Sequence, residues 1–572
     1  MSEPNKPKTE LTMEQRLMLA FGLMGVVLLV STYLMPKPPE PARQPAPKQE
    51  APKQEATKRD APATPAASPS KSQGKIKAPS AAIARVSAAK DESYTVETEV
   101  YKIVFVNRGA AVRSWVLKKF KDSDGKPLDL VNPKATGKVV YPFAVRFHAN
   151  QSAQALNDAL YAAKVSEDKL SLEFEYSDGA WFSKKTFAFT KHAYVGQVAS
   201  QLKYAGVPKP HLLYWRGGFG DYSVVGAAAA QMSVRFDLST NSIELLTAAD
   251  AKGAPDGYQA HRGRFAFAGI EDAYFAAVAL PNPDKEFEIH SLSDQIPNSI
   301  DGKEDPFPGS AIGGDPVNAF PIYIGPKDTG VMNAVSPRLT GIIDYGWFKL
   351  LAQPLFLVVQ WFHDNYIHNY GWTIIIVTVI INMLLLPLKI TSLKSMRAMS
   401  TLQPKIAAIN EKYKGLSFKD PKKQGQQAEV MELYKKHGVN PMGGCMPMAL
   451  QIPFFIAFYK VLSSSIELRG AEWLWVTDLS RPETLAIRIL PLAMIATQFI
   501  VQKMTPSTAA DPSQQKVMLM MPLFLGFMFY GVSSGLVLYW FTGNVVGIAQ
   551  QLLFNRMMPL PKDPAQKRDG KK

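Results

Sequence analysis

The sequence predicts a multi-domain chain: a polytopic α-helical membrane protein of six transmembrane helices, joined to a large all-β domain held outside the membrane. Three observations predict it. Apolar runs close to bilayer length occur near the start and again after residue 369. Between them the chain alternates apolar and polar residues with the two-residue period of strands. Lys and Arg crowd into the segments that a six-span path leaves in the cytoplasm.

The 572 residues include 64 Lys and Arg against 49 Asp and Glu, a formal charge of +15. Such an excess suits nucleic acid or an acidic surface, but its placement beside apolar runs reads as positive-inside bias, with no specific nucleic-acid partner. The single cysteine, Cys445, excludes an intramolecular disulfide framework, so the exported part is held by packing.

Residues 1–35 form a signal-anchor helix. Its apolar run, RLMLAFGLMGVVLLVSTYLM from Arg16, is nearly bilayer length and lacks a small-residue cleavage site, which favours a retained anchor over a cleaved signal peptide. Residues 36–92, rich in Pro, Ala, Lys, Gln and Ser, read as a disordered tether. Residues 93–335 alternate, as in TVETEVYKIVFV and LSLEFEYSDGAWFSKKTFAF. In the second stretch Leu170, Leu172, Phe174 and Tyr176 share a face before an Asp178-Gly179 turn. The whole segment reads as one large antiparallel β domain of sandwich type. Residues 336–369 contain an aromatic-rich stretch broken by Lys349, Gln353, Pro354, Gln360 and His363. It suits an amphipathic helix lying in the interface, with Trp347 and Trp361 at headgroup depth.

Residues 370–555 supply a core of five spans. The first, from Tyr370 to Pro387, is followed over 389–440 by a Lys-rich helical hairpin that must be cytoplasmic. Apolar runs then cover Met442 to Leu462, Leu485 to Met504, Val517 to Tyr530 and Leu536 to Phe554. With the anchor these make six crossings, so a cytoplasmic N-terminus returns the basic tail, 556–572, to the cytoplasm. The tether and β domain then lie in the periplasm of a bacterial cell.

Polar groups inside these runs are the candidate site. Thr378 and Asn382 share a face in the cytoplasmic half of their span. Gln451, Gln498, Gln502 and Asn544, with Gln550 and Gln551 below, gather toward the same side. Such amides commonly bond between helices, but the depth of Asn382 and Gln451 suggests a hydrated cavity open to the cytoplasm. Lys460 reads as a snorkelling side chain near the outer end of its span. Other chemistry is thin: His363 and His368 have the wrong spacing for one helical face, Cys445 reads as packing, and GGFGD at Gly217 to Asp221 lacks a phosphate-loop lysine and reads as a turn. No metal or other cofactor is expected.

Several long motifs closely resemble the YidC/Oxa family of membrane protein insertases: NYGWTIIIVTVIINMLLLPL, SLKSMRAMSTLQPKIAAINEKYK, VNPMGGCMPMALQIPFFIAFYKVL and SSGLVLYWFTGNVVGIAQQ. The anchor and β domain resemble the Gram-negative form of that family. The resemblance implies a periplasmic supersandwich and an inner-membrane core whose hydrophilic groove opens to cytoplasm and lipid. It also implies a non-enzymatic insertase and chaperone whose partners are nascent membrane proteins, the Sec translocon, the ribosome and the phospholipid bilayer. Thr378, Asn382, Gln451, Gln498, Gln502 and Asn544 would line the groove, while Met518, Met521 and Met528 would offer nascent helices an adaptable apolar surface. Family members commonly carry an arginine where alignment of TVIINMLLLP places Asn382, so the groove implied here is polar but lacks that fixed charge. Two rivals from other classes are a secondary transporter, which would want repeated halves, and an anchored periplasmic carbohydrate-binding protein, whose β domain alone would bind sugar.

Overall fold

The computed structural model describes residues 84–558 apart from 149–151, 225–226, 253–256, 299–301, 347, 414–420, 440–445 and 506–511. The anchor, the tether to residue 83, Trp347, Cys445, the side chain of Met518 and the tail beyond 558 lie outside the described residues.

Alternation becomes three antiparallel sheets. The first joins Ser93–Glu97, Tyr101–Val106, Ala111–Lys121 and Pro127–Asp129. A ten-stranded sheet contains the hairpin of Ser171–Ser177 and Trp181–Phe189, whose turn Asp178 closes by accepting hydrogen bonds from the Ala180 and Trp181 amides. A five-stranded sheet, including Phe287–Pro297 and Glu304–Gly313, contacts the ten-stranded one. Aromatic rings fill the space between layers, with Phe105 against Phe187 and Trp115 against Phe189. The sequence places the tether's end at residue 92, yet Val86 exchanges both backbone hydrogen bonds with Ser177. The last residues of that stretch are therefore part of the β domain.

Nine helices among the described residues form the rest. Helix α1, Lys349–Asn365, buries Ala352, Leu355, Phe356 and Val359 against the bundle, while Leu350 is 93% exposed and Leu357, Val358 and Trp361 are also exposed. Its exposed side mixes these apolar residues with Lys349, Gln353 and Asp364. Helix α2, Tyr370–Leu384, is capped by Asn369 and buries one stripe from Gly371 through Ile374, Thr378 and Asn382. Helix α3, Leu386–Thr401, continues it after a 59° bend. Pro387 explains the break, since it lacks an N–H and disfavours helical geometry just before it. Helices α4, Gln403–Lys412, and α5, Pro421–Lys436, pair through Ile406, Val430 and Tyr434 as a hairpin. Then follow α6, Met446–Ser464; α7, Ile489–Met504; α8, Pro512–Phe529; and α9, Ser534–Met557.

The expected six spans do not all show as full-length helices. Among the described residues only α9 is long and apolar enough by itself, and α2 with α3 qualifies as one bent pair. Ile489–Met504 and Leu519–Phe529 are shorter apolar helices. Both expose apolar side chains, among them Leu492, Ile500, Phe524 and Phe527, the last 86% exposed.

The segment between α6 and α7 packs across the start of α9, at the end of the bundle that meets the β domain. The Ser534 amide donates to Arg481 O at 2.7 Å and that of Gly535 to Leu479 O at 2.8 Å. Glu483 accepts from the Leu490 amide at 2.9 Å and from Trp475 Nε1 at 2.7 Å. The same segment holds the β domain: Arg469 and Arg481 both donate to the buried Asp221 carboxylate. The GGFGD stretch is thus more than a turn. Gly220, at φ +100°, passes so close to Asp272 that a Cβ would lie 1.9 Å from its Oδ2.

Candidate functional site

Helix α9 runs among α2, α6 and α7 and carries most of the polar links. On one face, Trp540 Nε1 donates to Gln498 Oε1 at 3.1 Å, and Asn544 Nδ2 donates to Thr497 Oγ1 at 3.2 Å and Met494 O at 3.4 Å. Gln551 Nε2 reaches Met504 O at 2.5 Å on that same α7 side. These positions, 540, 544 and 551, recur at helical spacing and so meet one neighbour. Toward α6, Gln451 Nε2 donates to the Tyr539 hydroxyl at 2.7 Å, and the Tyr539 ring stacks on Phe458. Gln502 is half-buried one turn beyond Gln498.

At the end of the bundle away from the β domain a separate polar knot joins α2, α3 and α9. Asn382, 2% exposed, donates from Nδ2 to Thr378 O at 2.8 Å, and Thr378 Oγ1 donates to Ile374 O at 2.6 Å. Lys389 Nζ donates to Asn382 Oδ1 at 2.5 Å and to Gln550 Oε1 at 3.5 Å, while Gln550 Nε2 donates to Asn382 O at 3.1 Å. No carboxylate among the described residues pairs with Lys389.

The six amide and hydroxyl candidates therefore do not share one hydrogen-bonded cluster. Thr378 spends its hydroxyl on its own helix. Gln451, Gln498 and Asn544 bond between helices, and Asn382 alone joins a cluster containing a charge. Interhelical bonding of this kind is worth about 1 kcal/mol in a membrane and fixes helix register. Met521 and Met528 lie half-buried on α8 beside exposed Phe524 and Phe527. Position 382 carries an amide where the family commonly has an arginine, and the Lys389 ammonium meets its side-chain oxygen. Sequence reasoning counted Lys389 as the first basic residue of the cytoplasmic loop, but α3 resumes at Leu386 and turns its ammonium back onto Asn382. The seven-residue spacing, two helical turns, was the available signal.

One cluster in the β domain could in principle hold a metal, since ligand atoms of His148, Glu288 and His290 all lie within 4.8 Å of one another. Arg146 Nε donates to His290 Nδ1 at 3.0 Å, which leaves His290 Nε2 as an N–H donor toward Glu288 at 2.5 Å. A donor nitrogen has no lone pair for a metal, so an ion network is the better description. His363 and His368 stay apart as ligands: His363 bonds Asp364 at 2.9 Å and stacks on Tyr370.

Comparisons with known proteins cover both halves of the chain. Residues 93–358 match the sequence family described as the YidC periplasmic domain, and residues 361–562 match the family described as the 60Kd inner membrane protein. The protein named membrane protein insertase YidC in Syntrophus aciditrophicus is 32% identical over 95% of this chain and 100% of its own length. That of Citrifermentans bemidjiense is 35% identical over 95% and 99%. In Wolinella succinogenes a protein of the same name is 45% identical over 42% of this chain and 44% of its own. A crystal structure of an active YidC insertase aligns with 82% of this chain and 94% of its own at 19% identity and a TM-score of 0.36. The chain belongs to the YidC family of membrane protein insertases, inner-membrane proteins with a periplasmic domain.

Proposed function

We propose that this chain inserts nascent proteins into the inner membrane by lowering the cost of bringing their polar segments part-way into the bilayer, without covalent catalysis. The observation that carries the reading is the charged knot of Asn382, Lys389 and Gln550 at the end of the bundle read as cytoplasmic. A charged residue at a helix centre costs about 2.5 to 3.5 kcal/mol on insertion, so amides and an ammonium at one end reduce a barrier of kinetic weight. Thr378, Gln451, Gln498, Gln502 and Asn544 are read as the polar wall along which the segment passes. Met518, Met521 and Met528 are read as its apolar landing face. The ordered segment between α6 and α7 favours closure of the outer side.

Six spans with both termini cytoplasmic belong to the same proposal, as do the Sec translocon for larger substrates and a ribosome received by the basic hairpin and tail. The test is site-specific crosslinking from position 382 to a ribosome-bound nascent membrane protein. A folded protein that gives no crosslinks removes the groove. Normal insertion of small membrane proteins after depletion removes the insertase reading. Neither the transporter nor the carbohydrate-binding reading finds support in the relatives described.

A further inference from the structure

Lys389 is the one feature of the polar knot that its neighbours do not satisfy. Its ammonium has three N–H donors; Asn382 Oδ1 and the more distant Gln550 Oε1 take two, and both are neutral amides. A half-buried cation in a low-dielectric setting without a counter-ion is costly, and the cost falls sharply once an anion comes within contact. Lys394, one turn further along α3, is exposed, but Lys389 is turned inward beside Asn382. Around it the surface is apolar and open: Met383, Leu384 and Leu388 are all exposed. That combination places an uncompensated ammonium at the level where the acyl chains meet the cytoplasmic headgroups.

We propose that Lys389, with the amides of Asn382 and Gln550, forms a binding site for the phosphate of a net-anionic phospholipid of the cytoplasmic leaflet, which occupies the knot when no substrate is present. The inference rests on the membrane topology and insertion reading proposed above and adds a resident ligand to that site. A phosphate oxygen would take the third ammonium donor, while the exposed leucines and Met383 accept the acyl chains. Net charge decides between headgroups: phosphatidylglycerol compensates the cation, whereas a zwitterionic headgroup brings its own positive charge with it.

The test titrates phosphatidylglycerol onto the full-length protein in neutral detergent and reads discrete adducts by native mass spectrometry. Wild type is expected to hold one adduct about tenfold more tightly than Lys389→Met, a difference of about 1.4 kcal/mol. Lys389→Arg should retain it, and Lys394→Met should match wild type. Phosphatidylcholine should bind no better to wild type than to Lys389→Met. Should Lys389→Met lose its thermal transition, Lys389→Gln is read in its place. Absence of a discrete adduct in wild type, or equal adducts in the charge-neutral variant, overturns the lipid site. A variant that keeps the adduct but inserts slowly assigns the ammonium to the substrate: the lipid inference falls and the insertion reading stands. Loss of the adduct with normal insertion sustains the lipid site and removes Lys389 from the insertion step.

Discussion

Arg469 donates from Nη2 to Asp221 Oδ2 at 2.5 Å, linking positions 248 residues apart and the β domain to the helical bundle. Both side chains are buried, at 4% and 2% exposure. Arg481 adds a second donor to the same oxygen at 3.2 Å, and Arg469 lies over the rings of Tyr274 and Phe275. Burial raises the Asp221 carboxyl pKa, but the guanidinium beside it and the Ser223 contacts lower it further, so the net direction is down.

Asp221→Ala should therefore destabilise the docked state by about 3 to 5 kcal/mol, because it leaves a buried guanidinium unpaired. Thermal unfolding of the purified protein measures this. Limited proteolysis should show the β domain released as an intact fragment, whereas a variant as protease-resistant as wild type would contradict the linkage.

Asn382→Leu should slow insertion of a small membrane protein into proteoliposomes about tenfold, which corresponds to about 1.4 kcal/mol of barrier. Asn382→Arg sets a second cation against Lys389 and should also impair insertion. Combining Asn382→Arg with Lys389→Met restores a single charge and is expected to recover most of the wild-type rate. If the effect of the double variant equals the sum of the effects of Asn382→Arg and Lys389→Met alone, the two positions do not interact.

Lys185→Met should cost the β domain about 3 kcal/mol. The fully buried Nζ donates to Gly109 O at 2.6 Å, Ala110 O at 3.2 Å and Phe143 O at 2.7 Å, and these carbonyls would lose their donors together. Burial lowers the Lys185 pKa to about 7. Denaturant unfolding of the variant checks the magnitude.

Glu467, in the segment between α6 and α7, gives a pH dependence. Burial first, then Asp328 and Asp364, raise its pKa to about 7, with the amides of Glu467 and Thr329 opposing. The folded state then holds a proton that the unfolded state has lost between about pH 4.5 and 7. Stability from this group is full at the acid end of that window and falls as pH rises through it, by at most about 3 kcal/mol. Glu467→Gln should flatten that slope in thermal melts and leave the melting temperature at pH 5 nearly unchanged.

Local patterns carried much of the fold. Alternation marked the strands, Asp178-Gly179 marked a hairpin turn, and the Lys-rich stretch of 389–440 marked a helical hairpin. What escaped was whatever depends on partners distant in sequence. Asp221 looks like the end of a glycine-rich turn because its arginines lie in another segment altogether. Lys185 looks like a solvent-facing strand residue, yet its strand position points inward, where three carbonyls meet it. Lys389 was hidden by the rule that basic residues after a span belong to the loop, a rule about topology that says nothing of where an ammonium points. His148, Glu288 and His290 come together only through strand order. Among the site candidates, depth alone could not separate amides that bond between helices, such as Gln498 and Asn544, from the one that meets a charge.

The placing of polar partners along α9 has a consequence for how that helix tolerates change in length. Trp540, Asn544, Gln550 and Gln551 each meet a fixed acceptor or donor on a neighbour. One residue inserted between 544 and 550 would turn everything below it by about 100° and advance it by about 1.5 Å. Gln550 would leave Asn382 and Gln551 would leave Met504, while the two upper links stayed in place. The C-terminal half of this helix is thus indexed to its neighbours by count as well as by composition, and exchange of one apolar residue for another on its exposed face is tolerable where a single insertion is not.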